Sequence, residues 1–177
     1  QINLPLRPAC DPESALRLAR SQWGGRGDLW VFGYASLIWR PEFEARERRP
    51  AQVHGFHRAL KRRSRVNRGT PETPGLVFAL LPGGSCHGLV FRIARDRADD
   101  ELTRRWLQCA TPKGTVRALG FTLRRSSPSF TGVLDDAEML AILKTARGRY
   151  GTTLDYLLET ARGLAAHGIR DREIERL

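Results

Sequence analysis

The sequence predicts an α+β fold: a small, mostly antiparallel β-barrel with flanking helices. Apolar segments of strand length fill the middle of the chain, and segments with helical patterns lie at its two ends. The 177 residues, of which 41% are hydrophobic, are enough for one domain with an apolar core. We expect a helical extension over residues 1–27 and a single domain over residues 28–177.

The N-terminal region predicts a helix followed by a buried strand. Asp11 is a good N-cap for a helix over residues 10–22, Pro12 suits its first position, and Glu13 favours its positive end. "WGGRGD" then interrupts the chain, and "LWVFGY", residues 29–34, is a nearly continuous apolar run. Such a run is typical of a strand that is buried on both faces.

Further strands are predicted in the middle of the chain. Residues 51–67 mix apolar and basic side chains, which favours one or two solvent-facing strands. "LVFALL" and "CHGLVFRIA" are separated by Pro82, Gly83 and Gly84, so we predict a hairpin at these three residues. "TVRALGFTLRR" alternates well enough to predict another strand.

The C-terminal third predicts three helices. Asp135 and Glu138 form a D-x-x-E cap before the first helix, and Gly151 is suited to end it. The second helix covers residues 152–168 and places four leucines on one stripe: Leu154, Leu157, Leu158 and Leu164. "DREIERL" starts the third helix.

The chain is strongly basic, with 30 Lys and Arg against 19 Asp and Glu and a net charge of +11. Such a balance indicates nucleic acid, an anionic small molecule, or simply a solvated basic surface. Basic residues on one strand face would track phosphates, and the segment between His57 and Gly69 offers Arg58, Lys61, Arg62, Arg63, Arg65 and Arg68. Few aromatic residues are interleaved, so a stacking platform is missing. A nucleic-acid-binding module is therefore an alternative that we regard as less favoured.

Other classes of protein are disfavoured. No apolar run approaches the ~20 residues of a membrane span, and the N-terminus lacks the apolar stretch of a signal peptide. Cys10, Cys86 and Cys109 are widely spaced, so we expect reduced thiols in the cytoplasm. His54 and His57 would point to opposite faces of a strand, so we expect no metal site. Phosphate-loop and dinucleotide motifs are also missing, and we expect no cofactor.

The corner after the first strand, Gly33-Tyr34-Ala35-Ser36, has two open interpretations. It is a structural turn in which Tyr34 packs and Ser36 caps a local backbone group. Alternatively, it is a backbone cradle whose N–H groups bind a carboxylate or an oxyanion. Ser36 lacks the G-x-S-x-G frame of a serine hydrolase nucleophile.

Four segments resemble the ChaC-type γ-glutamylcyclotransferases. "WVFGYASLIWRPEF" is similar to that family's "VFGYGSLIW" signature, "SRVNRGTPETPG" to its second block and "GGSCHGLVFRI" to its third. "GRYGTTLDYLLETARGLAAHGI" resembles its C-terminal helix. The resemblance spans residues 28–177 and implies the γ-glutamylcyclotransferase-like barrel fold.

The resemblance implies a lyase that cuts a γ-glutamyl amide, typically in glutathione, to 5-oxoproline and Cys-Gly. The substrate's own α-amine attacks its γ-carbonyl, a carboxylate acts as general base, and neither a metal nor an organic cofactor is needed. Carried over residue by residue, the substrate-binding positions are a backbone cradle, an arginine and a tyrosine: Gly33, Tyr34, Ala35, Ser36, Leu37, Ile38, Arg68 and Tyr156.

The sequence departs from the family pattern at two places. Ala35 stands where the family has glycine, which strains the backbone if φ is positive there. The segment that carries the family's catalytic glutamate is absent between Leu102 and Arg105, so the catalytic residue is unknown. Either the protein is an inactive relative that binds γ-glutamyl peptides, or its full-length form contains the segment; we expect the second. Neither Glu72 nor Glu101 is assigned the catalytic role.

Overall fold

The computed structural model describes residues 21–24, 27–41, 43–93 and 104–177. A closed barrel is formed by strands β1 (Leu29–Gly33), β2 (Ala45–Ser64), β3 (Gly75–Ile93), β4 (Arg104–Thr111) and β5 (Gly114–Phe121). Their order around the barrel is β1-β3-β2-β4-β5, and a parallel pairing of β1 with β5 closes it. The other neighbouring strands pair antiparallel, which confirms the predicted fold class.

Most of the predicted helix over residues 10–22 lies outside the described residues. The structure describes its last two positions, and residues 21–23 are helical. The division into a helical extension over residues 1–27 and a domain over residues 28–177 stays a prediction. None of the helices in the described part of the chain is long and apolar enough to cross a membrane. Cys86 and Cys109 are free and buried, and Cys10 lies outside the described residues.

β1 is buried on both faces, as predicted. Leu29 and Val31 pack in one apolar cluster with Ile93, and Phe32 packs in another with Val90. β1 is hydrogen-bonded to β3 on one side and to β5 on the other. Because β3 and β5 hold β1 in place on its two sides, the position of the residues that follow Gly33 is fixed by the barrel wall.

β3 is one continuous strand, so the predicted hairpin at Pro82, Gly83 and Gly84 is wrong. Gly83 and Gly84 have φ angles of 101° and 72°, and they form a local bend that does not reverse the chain. β2 has an irregularity at the same level, where Gly55 has a φ of 83° and the register between the two strands shifts. Since both strands bend together, their pairing resumes beyond the irregularity.

β2 confirms the prediction of one strand in this region, but the prediction that the strand faces solvent is wrong for its inner face. Val53 and Leu60 are buried in the core, and even Arg58 is only 2% exposed. Closure of the barrel gives β2 an inner face. The many basic residues of the segment favour a solvated strand when the sequence is considered alone. The closure of the barrel, which buries one face of the strand, is not visible in the sequence.

The remaining elements are α1 (Ser36–Trp39), α2 (Asp136–Thr145), the short hairpin of β6 (Arg147–Gly148) and β7 (Gly151–Thr152), α3 (Thr153–Ala166) and α4 (Arg172–Arg176). The predicted cap of α2 is confirmed. The N–H of Glu138 donates to Asp135 Oδ1 at 2.7 Å, and the N–H of Asp135 donates to Glu138 Oε2 at 2.9 Å. α2 ends at Thr145 and not at Gly151, because the β6–β7 hairpin takes up the residues between.

The buried face of α3 differs from the predicted leucine stripe. Leu157 and Leu164 are buried, but Leu154 and Leu158 are 42% and 44% exposed. Threonines and a tyrosine complete the buried face: Thr153, Tyr156 and Thr160. Small and polar residues fit here because α3 packs closely on α1 and hydrogen-bonds to it; Trp39 Nε1 donates to Thr160 Oγ1 at 3.1 Å. Contacts with α1 and β3 thus decide which face of the helix is buried.

Candidate active site at the mouth of the barrel

β1 ends at Gly33, and the chain turns through Tyr34 and Ala35 into the four-residue helix α1. A Cβ on Gly33 would lie 2.7 Å from the Phe91 ring, so close packing against β3 requires glycine at this position. Ala35 has a φ of −145°, outside the left-handed region that favours glycine. The strain considered for alanine at this position therefore does not arise.

The corner leaves two backbone donors for a ligand. Among the residues that the structure describes, the N–H groups of Ser36 and Leu37 donate no hydrogen bond. The N–H of Ile38 donates to the Ala35 carbonyl at 2.9 Å. Ser36 and Leu37 are half-buried, whereas Ile38 is buried. The corner is thus a structural turn that also presents two unused donors.

Two tyrosine hydroxyls lie in the interior next to this corner. Tyr34 and Tyr156 belong to the same buried cluster and are 9% and 4% exposed. Burial raises the pKa of Tyr156 to about 12. Burial also raises the pKa of Tyr34, and the nearby Tyr156 hydroxyl adds to that effect. The N–H of Phe78 donates to the Tyr156 hydroxyl at 3.2 Å, whereas the Tyr34 hydroxyl has no hydrogen-bond partner in the described part of the chain.

Arg68 lies beside Tyr156, but other groups of the protein already engage its guanidinium. Its Nη1 donates to the carbonyl oxygens of Tyr150 at 2.6 Å and Thr152 at 3.4 Å. The guanidinium carbon is 5.3 Å from the centroid of the Tyr156 ring and 6.0 Å from that of Trp39. Burial lowers the pKa of Arg68. Arg68 therefore holds the β6–β7 hairpin against the two rings that line the site.

Arg58 is a second arginine of the site, and sequence reasoning missed it. Its side chain is fully buried; Nε donates to the Tyr34 carbonyl at 2.6 Å and Nη2 to the His87 carbonyl at 2.6 Å. Nη1 forms an ion pair with Asp171, the N-cap of α4. Asp171 is 113 positions away in the sequence, so no local pattern carried this signal.

Arg62 also acts on the interior and was likewise missed. Its positive charge lowers the pKa values of Tyr34 and Tyr156, which opposes the effect of burial. Its side chain has no ion pair or hydrogen bond among the described residues, and the residue is half-buried.

A cavity of about 260 Å³ lies on another part of the barrel wall. Its lining includes Gln52, Gly88, Thr111 and Ile169 and contains none of the eight predicted substrate-binding residues. Because Gly88 packs against the carbonyl oxygen of Gly33, this cavity is close to the corner but is separated from it by backbone. The side chains that lie at or beside the corner are those of Tyr34, Tyr156, Arg58 and Arg68.

Comparison with protein families identifies the chain. The family described as ChaC-like protein matches residues 29–177. The chain belongs to the ChaC-like family. This membership covers every element of the barrel together with α1 to α4.

Individual ChaC-like relatives cover most of the chain. The glutathione-specific gamma-glutamylcyclotransferase of Escherichia coli (strain K12) is 30% identical over 159 residues, covering 82% of this chain and 69% of the relative. A protein of the same name from Schizosaccharomyces pombe is 30% identical over 169 residues, covering 78% and 83% of the two chains. The crystal structure of a selenomethionine-labelled gamma-glutamyl cyclotransferase specific to glutathione from yeast has a TM-score of 0.72. At 20% identity, with 85% and 94% of the two chains covered, it shows the same fold.

The position of the expected glutamate of ChaC-like proteins lies outside the described residues, because Leu102 and Thr103 are not among them. Glu101 also lies outside. The alignment with the bacterial relative extends over 159 positions but takes in 82% of 177 residues, so it contains gaps in this chain. Glu72 is exposed. Hydrogen bonds from its own backbone N–H and from Thr70 hold the pKa of the Glu72 carboxyl below its usual value. In the described ranges, no three His, Cys, Asp or Glu side chains are grouped to hold a metal ion.

Proposed function

We propose that this ChaC-like protein catalyses intramolecular γ-glutamyl cyclotransfer, with glutathione as its substrate and 5-oxoproline and Cys-Gly as its products. The observation that carries the proposal is the family match over residues 29–177. In this barrel the β1–α1 corner contains Tyr34 and lies beside Tyr156, and the positive charge of Arg58 acts on both tyrosines. Relatives named for this activity on glutathione support the choice of substrate.

In this reaction the protein holds the substrate in a folded conformation, and the nucleophile belongs to the substrate itself. The free α-amine of the glutamyl group attacks the γ-carbonyl carbon, a new C–N bond closes the five-membered ring, and the old amide C–N bond breaks. The attacking ammonium group loses two protons in forming the lactam N–H; the leaving nitrogen gains one as its C–N bond breaks and takes up the second as the released amine becomes an ammonium group. Well-oriented intramolecular attack of this kind lowers a barrier by about 7–11 kcal/mol.

The corner is suited to hold the charge that develops during attack. The unused N–H groups of Ser36 and Leu37 would donate to the γ-carbonyl oxygen as it becomes an oxyanion. Gly33 and Ala35 bring this backbone close to the ligand, while Tyr34 and Ile38 anchor it in the core. Tyr156 and Arg68 complete the proposed wall of the site: Tyr156 with its hydroxyl, and Arg68 by holding the rings in place.

The general base is a carboxylate that we expect between Leu102 and Arg105 in the full-length protein. The sequence between Leu102 and Arg105 lacks this segment. That observation favours a second candidate function, binding of γ-glutamyl peptides without turnover. The two functions differ in whether the ring product forms.

The deciding experiment incubates the full-length protein with glutathione and measures 5-oxoproline and Cys-Gly. Equal amounts of the two products support cyclotransfer. Calorimetric binding of glutathione without product would identify an inactive relative, and neither binding nor product would reject both functions. We place the reaction in the cytoplasm, supported by the free, buried thiols of Cys86 and Cys109.

Nucleic acid is not the partner we propose. Arg58 and Arg68, two members of the basic segment that would track phosphates, are 2% and 6% exposed. Nucleic-acid binding whose affinity falls steeply with salt would contradict this assignment.

A further inference from the structure

The ring of Tyr150, which is 38% exposed, lies against two guanidinium groups that the proposed function does not use. The guanidinium carbon of Arg40 is 4.8 Å from the ring centroid, and that of Arg149 is 5.3 Å from it. Neither guanidinium forms an ion pair or a hydrogen bond within the part of the chain that the structure describes. A guanidinium stacked on a ring keeps the N–H groups at its edge available for an anion. We call Arg40, Tyr150 and Arg149 the arginine–tyrosine cluster.

Direct contacts place this cluster at the edge of the candidate site. Arg40 follows α1, and its N–H donates to the Ser36 carbonyl at 2.6 Å, so one helical turn separates it from the start of the helix. On the other side, the Tyr150 carbonyl accepts from Arg68 Nη1 at 2.6 Å, and the Arg68 guanidinium carbon is 5.3 Å from the centroid of the Tyr156 ring. The cluster is thus joined to the β1–α1 corner through α1 and to Tyr156 through Arg68.

The positive charge at this edge is not balanced by a carboxylate of the described residues. Arg40 is near enough to Arg68 for its charge to lower the pKa of that guanidinium. The two carboxylates that act on Arg68 are engaged elsewhere: Asp155 belongs to the capping box of α3, and Glu159 pairs with Arg162 at 2.9 Å. An anionic ligand at the cluster would therefore relieve repulsion between like charges.

We propose that the arginine–tyrosine cluster binds the glycine carboxylate of glutathione, which makes it a specificity determinant for this tripeptide; this inference rests on the proposed function. The four residues of α1 span about 6 Å, and an extended Cys-Gly unit spans about 7 Å. A substrate whose γ-carbonyl oxygen lies at the N–H groups of Ser36 and Leu37 can therefore place its terminal carboxylate beyond the other end of the helix, at Arg40. This carboxylate takes no part in the reaction, so its contact acts on substrate binding.

The first test compares Arg40→Gln, Arg149→Gln and their combination with a matched control, Arg48→Gln. Arg48 is exposed on β2, and its side chain has no ion pair or hydrogen bond among the described residues, so the control changes the net charge equally. With glutathione we expect kcat/KM of the combined variant to fall about 10-fold, chiefly through a higher KM, because charge-assisted hydrogen bonds are lost. Arg48→Gln should stay near wild type. Thermal melts establish that each variant is folded.

The second test removes the carboxylate from the substrate. Glutathione glycinamide carries a neutral amide in place of the glycine carboxylate and still yields 5-oxoproline on cyclisation. Wild type should process this compound about 10-fold less efficiently than glutathione, whereas the combined variant of Arg40 and Arg149 should process the two compounds equally well. A variant that merely displaces the corner would lose turnover on both compounds. An equal loss in the combined variant on glutathione and on the glycinamide therefore overturns the proposal.

A binding experiment separates this inference from the proposed function. If wild type forms no 5-oxoproline, the proposed function fails, and calorimetry with glutathione and its glycinamide decides the role of the cluster. Weaker binding of glutathione in the combined variant, with unchanged binding in Arg48→Gln and weak binding of the glycinamide to wild type, supports the carboxylate site. Absence of glutathione binding to wild type, equal weakening in the combined variant and the control, or full-strength binding of the glycinamide overturns it.

Discussion

The Nε of Arg58 donates to the carbonyl oxygen of Tyr34 at 2.6 Å. Through the ion pair of the same guanidinium with Asp171, the β1–α1 corner is joined to the N-terminus of α4. Leu60 adds a second link, because its N–H donates to Glu173 Oε1 at 3.3 Å. The C-terminal helix is thus part of the support of the candidate site, although it contributes no residue to its lining.

Asp171→Asn should destabilise the protein by about 3 kcal/mol, because it leaves the charge of a fully buried Arg58 without its counter-ion. Asparagine remains a good N-cap, so the change isolates the charge. Urea unfolding measures the effect. Glu159→Gln, which breaks an exposed pair with Arg162, is the control and should cost about 0–1 kcal/mol. Equal losses in the two variants would contradict the role given to Arg58.

Tyr34→Phe and Tyr156→Phe should separate activity from stability. The Tyr34 hydroxyl has no partner among the described residues, so its removal should lower turnover of glutathione and leave the free energy of unfolding nearly unchanged. Tyr156→Phe should lower stability by about 1–3 kcal/mol, since the buried N–H of Phe78 loses its acceptor. Chemical denaturation and a 5-oxoproline assay on both variants check this. A Tyr34→Phe protein that is destabilised as much as Tyr156→Phe would count against it.

Stability should fall as the pH rises above about 9. Burial raises the pKa of Tyr156 from 10.0 to about 12, so the unfolded chain ionises this tyrosine first and its contribution is lost between these values. The buried thiol of Cys109, with a pKa raised from 9.0 to about 12, acts in the same direction. Urea midpoints measured across this range should fall less steeply in Tyr156→Phe than in wild type. Parallel slopes would show that Tyr156 is not protected from ionisation.

Gly33→Ala and Ala35→Gly should have opposite consequences for the corner. A Cβ on Gly33 would lie 2.7 Å from Phe91 and 3.1 Å from Leu37; this overpacking should cost about 1–3 kcal/mol and reduce activity by displacing the corner. Ala35→Gly should cost only about 0.5–1 kcal/mol through chain entropy and keep activity, because φ at Ala35 is already negative. Greatly increased activity in Ala35→Gly would mean that alanine distorts the corner.

The sequence predicted the elements that depend on neighbouring residues. The apolar run of β1, the capping box of Asp135 and Glu138, and the closed-barrel fold class are confirmed. The corner after β1 was also identified from its own residues, and the family resemblance is confirmed by the match over residues 29–177. Caps and buried strands are local patterns, which explains why one sequence sufficed to predict them.

Only the tertiary structure decided the features that depend on distant partners. Gly83 and Gly84 bend β3 without ending it because β2 bends beside them, whereas the same residues in isolation indicate a hairpin. Arg58 is interior because its charge is matched by Asp171, 113 positions away. Long-range pairing fixes which face of a strand is inside, and no local pattern of polarity contains that information.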